Sequence, residues 1–109
     1  MTDVDVLLMT APSAEVAEAI VSALVGDKLI ACGNITMPIA SIYRWQGETE
    51  RAAEVLVIMK TTADKVAAVM QRISALHPYE VPEILVLPVH EGHQPYLDWV
   101  RESVESSKE

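Results

Sequence analysis

The spacing of apolar residues in this chain changes period several times, and each change marks an element. Val4 to Thr10 is a short apolar run stopped by Ala11-Pro12, the pattern of a buried strand. Ser13 then caps a predicted helix in which Ala17, Ile20, Val21 and Leu24 form one stripe at i, i+3, i+4, i+7. Gly26 stops that helix, in the place where a left-handed residue commonly ends one. Leu29 to Trp45 is extended in character, with Ile35, Met37, Ile39, Ser41, Tyr43 and Trp45 on one face of the pleat. Pro38 cannot donate to a ladder, so it marks a bulge or an edge within that stretch. Gln46-Gly47-Glu48 reads as a turn, and Glu54 to Lys60 as the returning strand of a hairpin. Thr61-Thr62-Ala63-Asp64 has the form of a capping box opening a second helix, striped by Val66, Val69, Met70, Ile73 and Leu76. His77-Pro78 ends that helix, because the residue before proline is driven extended. Glu83 to Val89 is a fourth strand, and Pro95 suits the first turn of a last helix. Tyr96, Leu97, Trp99, Val100 and Val104 supply the apolar side of that helix, and Glu105 to Glu109 is a polar tail expected to fray.

The order β-α-β-β-α-β with a terminal helix predicts an α+β, ferredoxin-like sandwich spanning residues 1–109 as one domain. Its central hairpin is longer than two short helices can cover, since strands mostly run about 3–10 residues. Its far part, Ile39 to Trp45, still carries Ile, Tyr and Trp. An uncovered apolar ribbon aggregates unless it is paired, which predicts a closed homo-oligomer.

Composition narrows the partners. Sixteen acidic residues against eight basic ones leave a net charge of −8, which disfavours nucleic-acid and anionic-membrane binding, since both reward clustered Lys and Arg, and no such partner is expected. Phe is absent, so aliphatics, Ala and Met fill the core, and the two Trp and three Tyr are expected to have positional roles. Cys32 is the single cysteine, which forbids an intrachain disulfide and fits a reducing compartment. The acidic start Met-Thr-Asp-Val-Asp has neither the basic region nor the apolar run of a signal peptide, so a cytoplasmic protein is expected.

The densest chemistry lies in His77-Pro78-Tyr79-Glu80-Val81-Pro82-Glu83, where an imidazole, a phenol and two carboxylates are framed by two prolines. Such stiffening suits a binding rim, and it equally suits a plain helix-to-strand connection. Cys32 is either a small buried hydrophobe or a soft ligand for Cu(I) or Zn(II). Met9 could add a thioether, although a Met inside an apolar strand is ordinarily core. His90-Glu91-Gly92-His93 puts two imidazoles in a loop, where metal binding is adventitious. Lys60 is a solvated strand end, or else an anion anchor or proton donor facing a subunit cleft with Glu80. Tyr43 and Trp45, on either side of Arg44, suit interface packing or ligand stacking. No Gly-rich phosphate loop, Cys-x-x-Cys pair or His-Glu-x-x-His helix occurs, so an enzymatic reading has only His77 and Glu80 as an acid–base pair.

Several blocks in order give the chain a family resemblance: Thr10-Ala11-Pro12, Leu29 to Ile35 (Leu-Ile-Ala-Cys-Gly-Asn-Ile), Ser41-Ile42-Tyr43-Arg44-Trp45 with Gly47, and Met59-Lys60-Thr61-Thr62. They continue through His77 to Ile84, Leu87-Pro88, and Tyr96-Leu97-Asp98-Trp99. On these residues the chain resembles the CutA divalent-cation tolerance family over essentially its whole length. The resemblance implies a homotrimer of ferredoxin-like subunits built much as PII signalling proteins are. It further implies a non-enzymatic tolerance protein with no obligatory cofactor, taking copper or another divalent cation. In the family's copper-site pattern a Cys ends the first strand and a His-His pair precedes Pro-Tyr. By position these become Met9 and Leu76-His77, so only His77 matches as an imidazole. That departure argues against a tight copper site and leaves weak or inter-subunit binding, with His77 as ligand and Cys32 and Met9 as helpers. The second implied reading is a PII-like sensor or scaffold whose inter-subunit cleft is lined by Tyr43, Trp45, Lys60, His77, Tyr79, Glu80 and Trp99.

Overall fold

Five strands and three helices, one strand more than the hydrophobic periods predict, follow one another in a computed structural model that describes residues 2–106. They are β1 (Val4–Ala11), α1 (Ala14–Gly26), β2 (Cys32–Ile35), β3 (Ile39–Trp45), β4 (Glu48–Thr62), α2 (Val66–Leu76), β5 (Ile84–Pro88) and α3 (Gln94–Ser103). The sheet runs β2-β4-β1-β5, with β3 also on β4 and every neighbouring pair antiparallel. This is the ferredoxin-like sandwich. β1 lies at its centre, with Met9 opposite Val57 on one side and Ile84 on the other.

Strand alternation divides the sheet between two cores. Leu7, Met9, Ala11, Val55, Val57 and Met59 point to α1 and α2 and bury with Ala17, Ile20, Leu24, Val69 and Ile73. Val4 lies on the opposite face and packs with Ala31 under Leu97, Val100 and Val104 of α3. α3 covers only that end of the second face. Leu85 and Leu87 of β5, paired with Leu8 and Val6, remain 54% and 48% exposed on the same face.

Several local expectations are corrected. The long extended stretch is two strands, because Ile35 opposes Val57 whereas Ile39 opposes Glu54. Three residues, Thr36 to Pro38, therefore face two, which is a β-bulge at the proline. Thr36 still pairs with Leu56 through its amide and hydroxyl, both at 2.9 Å, so the extra residue falls at Met37-Pro38. The insertion reverses the pleat, so Ile39, Ser41, Tyr43 and Trp45 do not share the face of Ile35. The returning strand begins at Glu48 rather than Glu54 and runs 15 residues. Gly26 is the last helical residue of α1; the left-handed position falls two residues later, on Lys28 with φ 58°. Thr61 to Asp64 forms no capping box: Thr62 makes no side-chain cap, its hydroxyl meets the Asp64 carboxylate, and a 3-10 turn over Ala63–Lys65 leads into α2. On α3, Tyr96 and Trp99 lie outside the buried stripe, 41% and 43% exposed. Of the tail expected to fray, Glu105 and Ser106 follow α3, and 107–109 lie outside the described residues.

Candidate functional site

The proline-framed segment crosses the end of β1 on its way from α2 to β5, and two side chains fasten it there. His77 is the C-cap of α2, with φ −74° and ψ 138°, as proline after it requires. Its ring is 7% exposed. Nδ1 accepts the Tyr79 backbone N–H at 3.1 Å, which leaves Nε2 to donate to the Thr10 carbonyl at 2.8 Å. Both ring nitrogens of the neutral imidazole are thus engaged by backbone. The Tyr79 ring packs on the imidazole, centroids 4.7 Å apart, and its hydroxyl donates to Glu54 Oε2 at 2.6 Å. Burial, followed by the hydrogen bond to Glu54 and the Glu54 charge, pushes the Tyr79 phenol up, well above its ordinary value.

Glu54 is the residue that reasoning from the sequence missed. It is 7% exposed and sits where β4 passes the end of β1. The available signal was a carboxylate followed directly by the apolar run Val55 to Met59. The bulge sets Tyr43 and Trp45 on the same side of the sheet as Glu54. Together these residues and the proline-framed segment enclose a cleft of about 520 Å³, whose walls include Tyr43, Trp45, Glu54, Tyr79, Glu80 and Glu83.

Of the residues expected to line a cleft, Tyr43, Trp45, Tyr79 and Glu80 meet in this one. Lys60 does not reach it within the chain: its ammonium donates to Asn34 Oδ1, three residue pairs farther along β4 than Val57. Trp99 stacks on Tyr96 of α3, centroids 5.4 Å apart. The metal-ligand candidates stand apart as well. Met9 is fully buried opposite Val57 under the helices, whereas Cys32 is paired with Lys60 on the other face. Cys32 Sγ lies 3.6 Å from the Tyr96 hydroxyl, and this contact, ahead of burial, raises the Tyr96 phenol. No group of three or more His, Cys, Asp or Glu side chains suited to one metal ion occurs among the described residues.

A long central hairpin on a ferredoxin-like sandwich, with one sheet face left partly open, defines the fold type. Comparison with known proteins gives that type its family. The model of the CutA1 divalent ion tolerance protein family matches residues 5–103, and the chain belongs to this family. It is 50% identical over 99 residues to the divalent-cation tolerance protein CutA of Thermus thermophilus, covering 91% of this chain and 96% of that one. It is 43% identical over 103 residues to human protein CutA, covering 94% of this chain but 58% of the human protein. Among solved structures, the CutA of Archaeoglobus fulgidus, described as a periplasmic divalent cation tolerance protein, superposes with TM-score 0.91 at 41% identity. That superposition covers 94% of this chain and 99% of the other.

Proposed function

We propose that the chain acts as a homotrimeric, non-enzymatic divalent-cation tolerance protein that holds copper or another divalent cation weakly or between subunits. The observation that carries the oligomer is the open sheet face, where Leu85 and Leu87 are about half exposed beside Val6 and Leu8. The metal part follows from the separation of the candidates. Met9 and Cys32 are on opposite faces, and His77 must surrender a backbone hydrogen bond before either nitrogen can ligate. A site using more than one of them therefore draws on a second copy or binds weakly. The same engagement of His77 supports the non-enzymatic reading, because a general base needs a free nitrogen. The lone cysteine supports a cytoplasmic location.

The test is a titration with Cu(I) under anaerobic conditions and with Cu(II) in air, on wild type and His77→Ala, with mass measured in the same samples. Copper bound by the wild type and lost in the variant, while the trimer persists, is the expected result. Equal uptake by both proteins removes His77 from the site.

A second reading, a PII-like small-molecule sensor or scaffold, is favoured by the cleft itself. Tyr43, Trp45, Tyr79 and Glu80 converge on it, with the buried Glu54 behind them, and Lys60 and Trp99 would join only from neighbouring subunits. A compound that raises the unfolding temperature of metal-free trimer, where metal ions do not, supports this reading.

A further inference from the structure

The walls of the cleft share one chemical character. Glu54, Glu80 and Glu83 put three carboxylates on its lining, Tyr43, Trp45 and Tyr79 put three aromatic rings there, and among the described residues of the chain no Lys, Arg or His lines it. A phosphate or carboxylate ligand would meet like charge and no donor cation. Glu54 sharpens the selection. It is a nearly buried carboxylate whose hydrogen-bond donor is a neutral phenol, and no cation in the lining neutralises it. An incoming positive charge supplies the missing partner.

The arrangement also discriminates between kinds of cation. A divalent metal ion needs about six oxygen donors gathered around one point. Here the carboxylates do not form a group suited to one ion among the described residues. They come from β4 and from the middle and the far end of the proline-framed segment, and aromatic rings share the lining with them. Spread carboxylates and ring faces suit an organic cation, which takes cation–π contact from Trp and Tyr while its alkyl stem lies on apolar surface such as Ile42 and Val81. The volume of about 520 Å³ lies inside the usual range for small-molecule sites, about 300–1,000 Å³.

We propose that this cleft binds a small organic cation, an alkylamine, diamine or guanidinium compound, with Glu54 as its principal counter-charge. The proposal deepens the small-molecule reading above and rests on it, with the cleft lined as it is within one chain and Lys60 of a neighbouring subunit left out of it.

The experiment is calorimetric titration of the full-length protein in its native assembly, in phosphate buffer free of amines. Diaminobutane is the probe, with butanol, butyrate and magnesium ion as controls. Diaminobutane should saturate at one site per chain and bind at least about tenfold more tightly than butanol or butyrate, the discrimination one well-placed charge contact supplies. Glu54→Gln, which keeps an acceptor for the Tyr79 hydroxyl, should weaken it by about tenfold or more. Glu83→Gln, on the exposed rim, should weaken it by about twofold, and Glu102→Gln on α3 should leave it unchanged, which separates the site from the general attraction of an acidic protein. Butyrate or butanol binding as tightly, or diaminobutane binding unaltered by Glu54→Gln, overturns the cation assignment while leaving the cleft a ligand site. Saturable magnesium binding with no organic probe bound overturns both the assignment and the small-molecule reading. No saturable binding by any probe overturns both as well and leaves the cleft to a neighbouring subunit's side chains.

Discussion

Replacing Tyr79 with Phe keeps the ring against His77 and deletes one hydroxyl, so it isolates the bond that ties the proline-framed segment to β4. That bond is 2.6 Å long and ends on a carboxylate that is 7% exposed. A hydrogen bond to a charged group contributes about 1.5–3 kcal/mol, and because Glu54 borders an open cleft, water replaces part of the loss. The expected destabilisation is therefore the lower end, about 1.5 kcal/mol, or roughly tenfold in the unfolding constant. Guanidinium unfolding followed by Trp fluorescence measures it, at one fixed chain concentration so that the proposed assembly contributes equally to both proteins. The pH dependence supplies a second arm. The folded state raises the Tyr79 phenol, through burial first and Glu54 next. Below the unfolded phenol value of about 10 both states hold the proton and the stabilisation is complete. As pH rises past about 10 the unfolded chain releases a proton that the folded chain retains, so stability falls toward the raised folded value. Phe cannot titrate, so the variant's curve is flatter there and the gap between the two proteins narrows with rising pH. A variant within about 0.3 kcal/mol of wild type at neutral pH, or a gap that stays constant above about pH 10, would refute the reasoning.

Other substitutions probe the parts that position the cleft. His77→Ala removes both backbone hydrogen bonds of a buried ring and should cost about 2–4 kcal/mol in the same unfolding assay; a loss under about 1 kcal/mol would show that the ring does not fasten the segment. Gly33→Ala puts a methyl 2.8 and 3.0 Å from the Val21 γ-carbons, so β2 and α1 must part, at about 1–3 kcal/mol; Val21→Ala in the same chain should recover part of that, and no recovery would assign the cost elsewhere. Leu85→Lys places charge on the open sheet face and should shift the assembly toward smaller species in sedimentation velocity; an unchanged assembly would mean that this face is not the interface.

Much of the fold was legible because its signals are local. The α1 stripe Ala17, Ile20, Val21 and Leu24 buries as spaced, and Ser13 accepts the Val16 N–H at 3.2 Å. Proline after His77 ended α2 where expected. The irregularity at Pro38 fell where expected, and the errors came from tertiary effects: the change of face that the bulge imposes between Ile35 and Ile39, and the exposure of Tyr96 and Trp99 on α3. Tyr43, Trp45, Tyr79 and Glu80 stand together on a cleft within one chain, where the sequence suggested a cleft between subunits. The candidate site was not legible in its organisation. The pairing of Tyr79 with Glu54 spans 25 residues and depends on a strand passing the end of its neighbour, which no window of sequence displays.

One residue of register decides whether this cleft exists. Across β2 and β4, Ile35 opposes Val57, and both turn toward the helices. Without the extra residue at Met37-Pro38, alternation would carry Tyr43 and Trp45 to that same helix face. They would then lie opposite Glu54, with nothing to cover them, since α1 and α2 do not extend along the ribbon. With it, Ile39 pairs with Glu54, and Tyr43 and Trp45 fall on the side of Glu54 and Thr10. Pro38 suits this place because it demands no ladder acceptor, and Met37, 82% exposed, is the residue pushed out. The aromatic wall is thus a consequence of the bulge. The carboxylate behind it is a consequence of β4 outrunning β1, where Ala11 at the strand end pairs with Val55 and Glu54 is the next residue along. The proline-framed segment fills the space that the missing continuation of β1 leaves, and it does so with a phenol rather than a strand. A fold with a long central ribbon thereby produces, at the ribbon's root, a gap in its own sheet, and the proline-framed segment is the piece that closes it.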